Sequence, residues 1–167
     1  MKLYRKVLGF LKIADKKWFP ALLEKAIVLS MIGGSIILLA LPYILDLWMK
    51  HYQVYDQTYY NNYYMPSLMI LYPSGLIGLG ILFQARGILK KVILSEPFVA
   101  ENVKRIKYIA RFTAMLCGIY AIALFCIHSV FVPILFIVFG LTALFTSVFG
   151  ELFARAVQYK EENDFTI

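Results

Sequence analysis

Four apolar stretches, at about 22–47, 67–83, 106–127 and 130–153, restrict what this chain can fold into. A helix needs roughly 20 apolar residues to cross a hydrocarbon core of about 30 Å, because lipid offers no partner to a backbone N–H or C=O. Each stretch is close to that length, so the sequence predicts an all-α membrane protein. With their polar shoulders the spans run to about 22–47, 67–88, 106–127 and 130–157, leaving an outer loop 48–66, a cytoplasmic loop 89–105 and a cytoplasmic tail 158–167. At 167 residues, 61% of them hydrophobic, the chain has room for one helical membrane domain and little else.

Orientation follows from the basic residues. Lys2, Arg5, Lys6, Lys12, Lys16, Lys17 and Lys25 precede or open the first span, and Arg86, Lys90, Lys91, Lys104, Arg105 and Lys107 lie between the second and third. The first loop carries only Lys50, and the connection around His128 carries no basic residue. The positive-inside rule then places both termini and the second loop in the cytoplasm. The formal charge of +7 therefore implies contact with anionic headgroups on the inner face rather than direct nucleic-acid binding. Residues 1–13 put Leu3, Val7, Leu8 and Leu11 at helical spacing against Lys2, Arg5, Lys6 and Lys12, the pattern of an N-terminal amphipathic helix in the inner headgroup layer. Lys12, Asp15, Lys16 and Lys17 interrupt it and no Ala-x-Ala site follows the first span, so this segment is expected to be retained. The outer loop lacks an Asn-x-Ser/Thr sequon, which fits a bacterial cell membrane.

Chemistry is scarce. Cys117 and Cys126 share the third span on nearly opposite helix faces, and His51 and His128 are the only histidines. No cofactor, metal or catalytic residue is expected, and the chain reads as non-enzymatic. Arg111 and Glu151 lie at similar heights near the inner ends of spans three and four, and an ion pair between them would offset their burial. Small residues mark expected helix contacts: Ser30 and Gly34 on the first span, Ser74, Gly75, Gly78 and Gly80 on the second, Ala110, Ala114 and Gly118 on the third, and Gly140, Ala143, Ser147, Gly150 and Ala154 on the fourth. The very short connection after the third span makes the last two spans an antiparallel hairpin, and the simplest fold is an up-down-up-down four-helix bundle. Outside, Tyr52, Tyr55, Tyr59, Tyr60, Tyr63 and Tyr64 crowd one loop. Tyrosine favours the interface, so an aromatic belt or folded cap is expected there, and this loop is the best place to sense anything outside.

Two inner-face segments are more specific. Pro97, Phe98 and Asn102 precede the third span, and Glu161, Glu162, Asn163, Asp164, Thr166 and Ile167 close the chain. Together they resemble the YoaS-like group of small four-span bacterial membrane proteins, a domain of unknown function; Phe165 stands where leucine is more usual. Genes of that group often adjoin one for a small helix-turn-helix DNA-binding protein. The resemblance thus implies a membrane sensor or anchor that holds, or signals to, a transcription regulator, with no enzymatic activity. Either the acidic tail (Glu161, Glu162, Asp164) docks on the basic loop (Lys104, Arg105, Lys107), or it occupies the basic surface of such a partner. The alternative class is a small transporter, channel or immunity-type protein acting as a homo-oligomer, which the lack of polar residues at mid-bilayer disfavours.

Overall fold

A computed structural model describes residues 18–52 and 57–164. The expected amphipathic helix at 1–13, and Thr166 and Ile167, lie outside the described residues. Four helices follow one another: α1 (Trp18–Tyr52), α2 (Gln57–Ile93), α3 (Ala100–Cys126) and α4 (Phe131–Asp164). Each is long and apolar enough to cross a membrane, and the chain is a multi-pass membrane protein with an up-down-up-down four-helix bundle. Cross-helix contacts fix the antiparallel order: Glu24 meets Arg86 at one end of α1 and α2, and Asp46 meets Tyr60 at the other. We call these the basic end and the tyrosine end.

The helices overrun the bilayer. The 37 residues of α2 extend to about 55 Å at 1.5 Å per residue, against a hydrocarbon core of about 30 Å. The segment expected as an outer loop, 48–66, is accordingly helical through Tyr52 and again from Gln57. The expected tail likewise continues α4 as far as Asp164. Pro42, Pro66 and Pro73 sit inside these helices without ending them, as membrane helices tolerate.

Tightest packing runs between consecutive helices, closest of all in the α3–α4 hairpin, and α1 and α4 make no comparable contact among the described residues. The buried side of α3 carries Val103, Ala110, Thr113, Leu116, Tyr120 and Ala123, and the core gathers around Tyr120, Ala123 and Val132. Away from that seam the surface is apolar, as lipid requires: Leu39 is 80% and Phe125 86% exposed.

Small residues let these helices approach, though not at every expected position. An added Cβ at Gly34 would lie 3.2 Å from Leu79, at Gly80 3.2 Å from Phe112, at Gly140 3.4 Å from Cys117 Sγ, and at Gly150 3.4 Å from Ile106. Ala114 and Gly118, expected on the contact face of α3, are exposed, as are Ser30 and Ser147. The reason is a division of labour. The close approach is supplied by glycines on α2 and α4, so α3 can present Leu116 and Tyr120 and turn its own small residues outward.

The α2–α3 connection is built, not slack. Glu96 N–H donates to Lys91 C=O and Ser95 N–H to Val92 C=O, both at 3.0 Å, with Ser95 at φ 65°. This is a Schellman stop with serine in the left-handed position, and Pro97 follows where no helix can continue.

Candidate functional site

The basic end carries most of the bundle's charge chemistry. Arg86 Nε donates to Glu24 Oε1 at 2.6 Å, joining α2 to α1. Glu101 receives Arg105 at 2.7 Å within α3 and Lys91 of α2 at 3.2 Å. Arg105 also donates to Gln84 Oε1 at 3.2 Å. Its guanidinium lies so close over Gly87 that any Cβ there would displace it. Lys107 reaches Glu151 of α4 at 3.8 Å. A collar of ion pairs and hydrogen bonds thus links all four helices near one end of the bundle.

That collar corrects one sequence expectation and bears on a second. Arg111 does not pair with Glu151: its guanidinium carbon lies 5.5 Å above the Tyr108 ring, and Glu151 is met one helical turn nearer the basic end by Lys107. Antiparallel register sets this, because Gly150 packs beside Ile106 and Lys107 rather than beside Arg111. The expected docking of the tail on the basic loop would have to compete with contacts already in place there. Arg105 and Lys107 are engaged by Glu101, Gln84 and Glu151, and α4 runs straight past them, with Gln158 donating to Glu162 at 3.0 Å. Glu161, Glu162 and Asn163 are exposed on this extension, Asp164 ends it, and Lys104 is exposed on α3.

The Pro97, Phe98 and Asn102 element has a local explanation. Val99 is the residue before α3 and provides no side-chain cap. Asn102 instead turns back, its Nδ2 donating to Pro97 C=O at 2.8 Å, while Asn102 N–H bonds Val99 C=O at 3.0 Å. Asn102 is fully buried, so it shapes the connection and cannot itself touch a partner. Phe98 stacks on Phe153 of α4 at 5.5 Å between ring centres and stays 43% exposed. Pro97 is half-buried.

At the tyrosine end, Asp46 of α1 accepts from Tyr60 of α2 at 2.7 Å and from Lys50 at 2.8 Å. Tyr60 stacks on Tyr64 at 5.2 Å, and Tyr64 donates to Pro42 C=O at 3.3 Å. The bond to Asp46 favours the neutral phenol and pushes Tyr60 up to about 12. The tyrosines therefore clasp two helix ends. Sequence reading missed Glu24–Arg86 and Asp46–Tyr60. The available signal was the pairing of opposite charges, or of phenol and carboxylate, at equal heights on two helices joined by a short connection.

A family model described as a protein of unknown function (DUF2975) matches residues 48–167. That range takes in α2, α3 and α4 with the Pro97, Phe98, Asn102 element and the closing 161–167 motif. No curated protein and no solved structure matches the chain.

Proposed function

The chain belongs to the DUF2975 family of proteins of unknown function, and from that premise we propose that it is a non-enzymatic sensor or anchor in a bacterial cell membrane. In this reading both termini are cytoplasmic, and the basic end contacts a cytoplasmic helix-turn-helix regulator. The observation that carries it is the extension of α4. A helix serving only to cross the bilayer has no need of a further charged stretch, yet α4 continues through Tyr159, Lys160, Glu161 and Glu162, all exposed, to Asp164. The base of the extension packs on α3, with Gly150 beside Ile106 and Lys107, and Glu161 and Glu162 are carried on the helix that continues from it. Acidic side chains at helical spacing suit a surface that otherwise receives phosphates. Phe98, half-exposed beside Phe153, adds an apolar patch at the same end. The narrower YoaS-like grouping rests on the two motifs.

The test is affinity capture of the solubilised chain from its native host, intact and lacking residues 159–167, followed by mass spectrometry. A small helix-turn-helix protein recovered only with the intact chain supports the reading. Recovery of no soluble partner from a folded bundle turns the assignment to the transporter or channel class, for which flux through reconstituted vesicles is the next measurement.

A further inference from the structure

Between the helices lie two adjoining cavities, each open on one side. The larger, about 470 Å³, is walled by apolar side chains and glycines, among them Leu38, Gly75, Gly78, Leu116 and Phe139. The smaller, about 230 Å³, lies toward the tyrosine end beside Trp48, Tyr63, Ser67 and Ser129. Tyr120 and Leu71 border both.

Tyr120 is only 8% exposed, and its ring stacks on Phe139 at 5.3 Å. Among the described residues its hydroxyl has no hydrogen-bond partner. Among the described residues the fully enclosed side-chain atoms without partners are Asn102 Oδ1 and Arg105 Nε, so the Tyr120 hydroxyl keeps an open side, and the open space its residue borders is the cavities. A buried phenol ordinarily finds an acceptor, and no protein group among the described residues supplies one here. Ser67 behaves similarly. Ser35 and Ser74 donate to the carbonyl one turn back, whereas the Ser67 hydroxyl has no partner among the described residues.

We propose that this interior binds one acyl chain of a membrane glycerophospholipid, with Tyr120 donating to its ester carbonyl. Three features select that occupant. The larger cavity runs along α2 from Leu71 to Leu82, about 16 Å at 1.5 Å per residue. That equals the depth of one leaflet in a hydrocarbon core of about 30 Å. Tyr120 is its open donor, and apart from Ser74, whose hydroxyl is spent on Ile70 C=O, the lining is apolar, matching a chain with a single polar terminus. Tyr120 also lies six residues inside the end of α3 at Cys126, about 9 Å, so it stands nearer one end of that span than its middle. A lipid's ester carbonyls lie toward the ends of a span, not at its middle. The smaller cavity, with Ser67 and Ser129, then receives the glycerol end. This inference stands apart from the regulator reading.

The test reconstitutes the full chain in vesicles of palmitoyl-oleoyl phosphatidylglycerol, extracts it in mild detergent and counts retained lipid by native mass spectrometry. Wild type is expected to keep one phospholipid per chain. Gly78→Leu fills the cavity from a position where a Cβ meets nothing within 4 Å, and it should retain none. Gly33→Leu adds the same bulk at another site open to 4 Å that does not line the cavity, and should retain lipid as wild type does. Tyr120→Phe should lower retention about threefold to tenfold, the loss of one hydrogen bond. Equal retention by wild type and Gly78→Leu, an unchanged Tyr120→Phe, or a wild type that carries no phospholipid would each overturn the proposal. The two cavity variants are independent, so a folding defect in one leaves the other to decide.

Discussion

Asn102 and Ser95 show opposite outcomes for one connection. Asn102→Ala removes the bond to Pro97 C=O inside a fully buried site and should cost about 1–3 kcal/mol, read as earlier thermal unfolding in detergent. Ser95 occupies a left-handed backbone at φ 65°, which suits glycine better than serine. Ser95→Gly should therefore leave the stop intact and raise stability by up to about 1 kcal/mol, the gain trimmed by the freer unfolded chain. A loss of stability in that variant would contradict the helix stop described above. Tyr60 adds a pH dependence. Its phenol is raised to about 12 by the bond to Asp46. Its contribution is thus complete below the ordinary tyrosine value of about 10 and disappears as pH rises through about 12. The ultraviolet difference titration between wild type and Tyr60→Phe should show one phenol ionising near 12; a midpoint near 10 would remove the clasp. The sequence marked Asn102 as part of a motif but not its work, because a clasp to Pro97 exists only once the chain has folded back between them.

Helix existence was legible at the scale of elements, since length and hydropathy decide it, but helix faces were not. Ala110, Ala114 and Gly118 share a four-residue spacing, yet only Ala110 is buried. Spacing says that small residues can permit contact, while register decides which of two partners supplies the gap. Ion pairing follows the same logic. Arg111 was the expected partner of Glu151, and a shift of one turn gives that place to Lys107. The pairs should also differ in strength. Glu24–Arg86 is short at 2.6 Å and largely shielded, with side chains 18% and 34% exposed, whereas Lys107–Glu151 spans 3.8 Å with both ends about half-exposed. A double-mutant cycle with Glu24→Gln and Arg86→Gln should give a coupling of at least about 0.5 kcal/mol. The same cycle at Lys107 and Glu151 should give near zero, as for most exposed pairs. Equal couplings would mean that the α1–α2 pair contributes no more than a surface contact.

Taken whole, the bundle is a row of antiparallel helices whose charges are sorted by end, and that sorting makes its orientation testable. Arg86, Lys91, Arg105 and Lys107 all sit in or beside the collar, while the tyrosine end balances Lys50 with Asp46. Translocating the collar across the bilayer would carry every one of those cations through hydrocarbon, so the basic end should stay on the side of synthesis. Cys117→Ala and Cys126→Ala would clear the native thiols, after which single cysteines report each face. In intact cells His128→Cys, in the connection between α3 and α4, should react with a membrane-impermeant maleimide, and Lys104→Cys should react only after permeabilisation. The same face must then carry the α4 extension, because α4 ends beside the start of α3. Labelling of Lys104→Cys from outside would invert the bundle, put the acidic extension beyond reach of any cytoplasmic regulator, and leave the tyrosine clasp facing the cell interior.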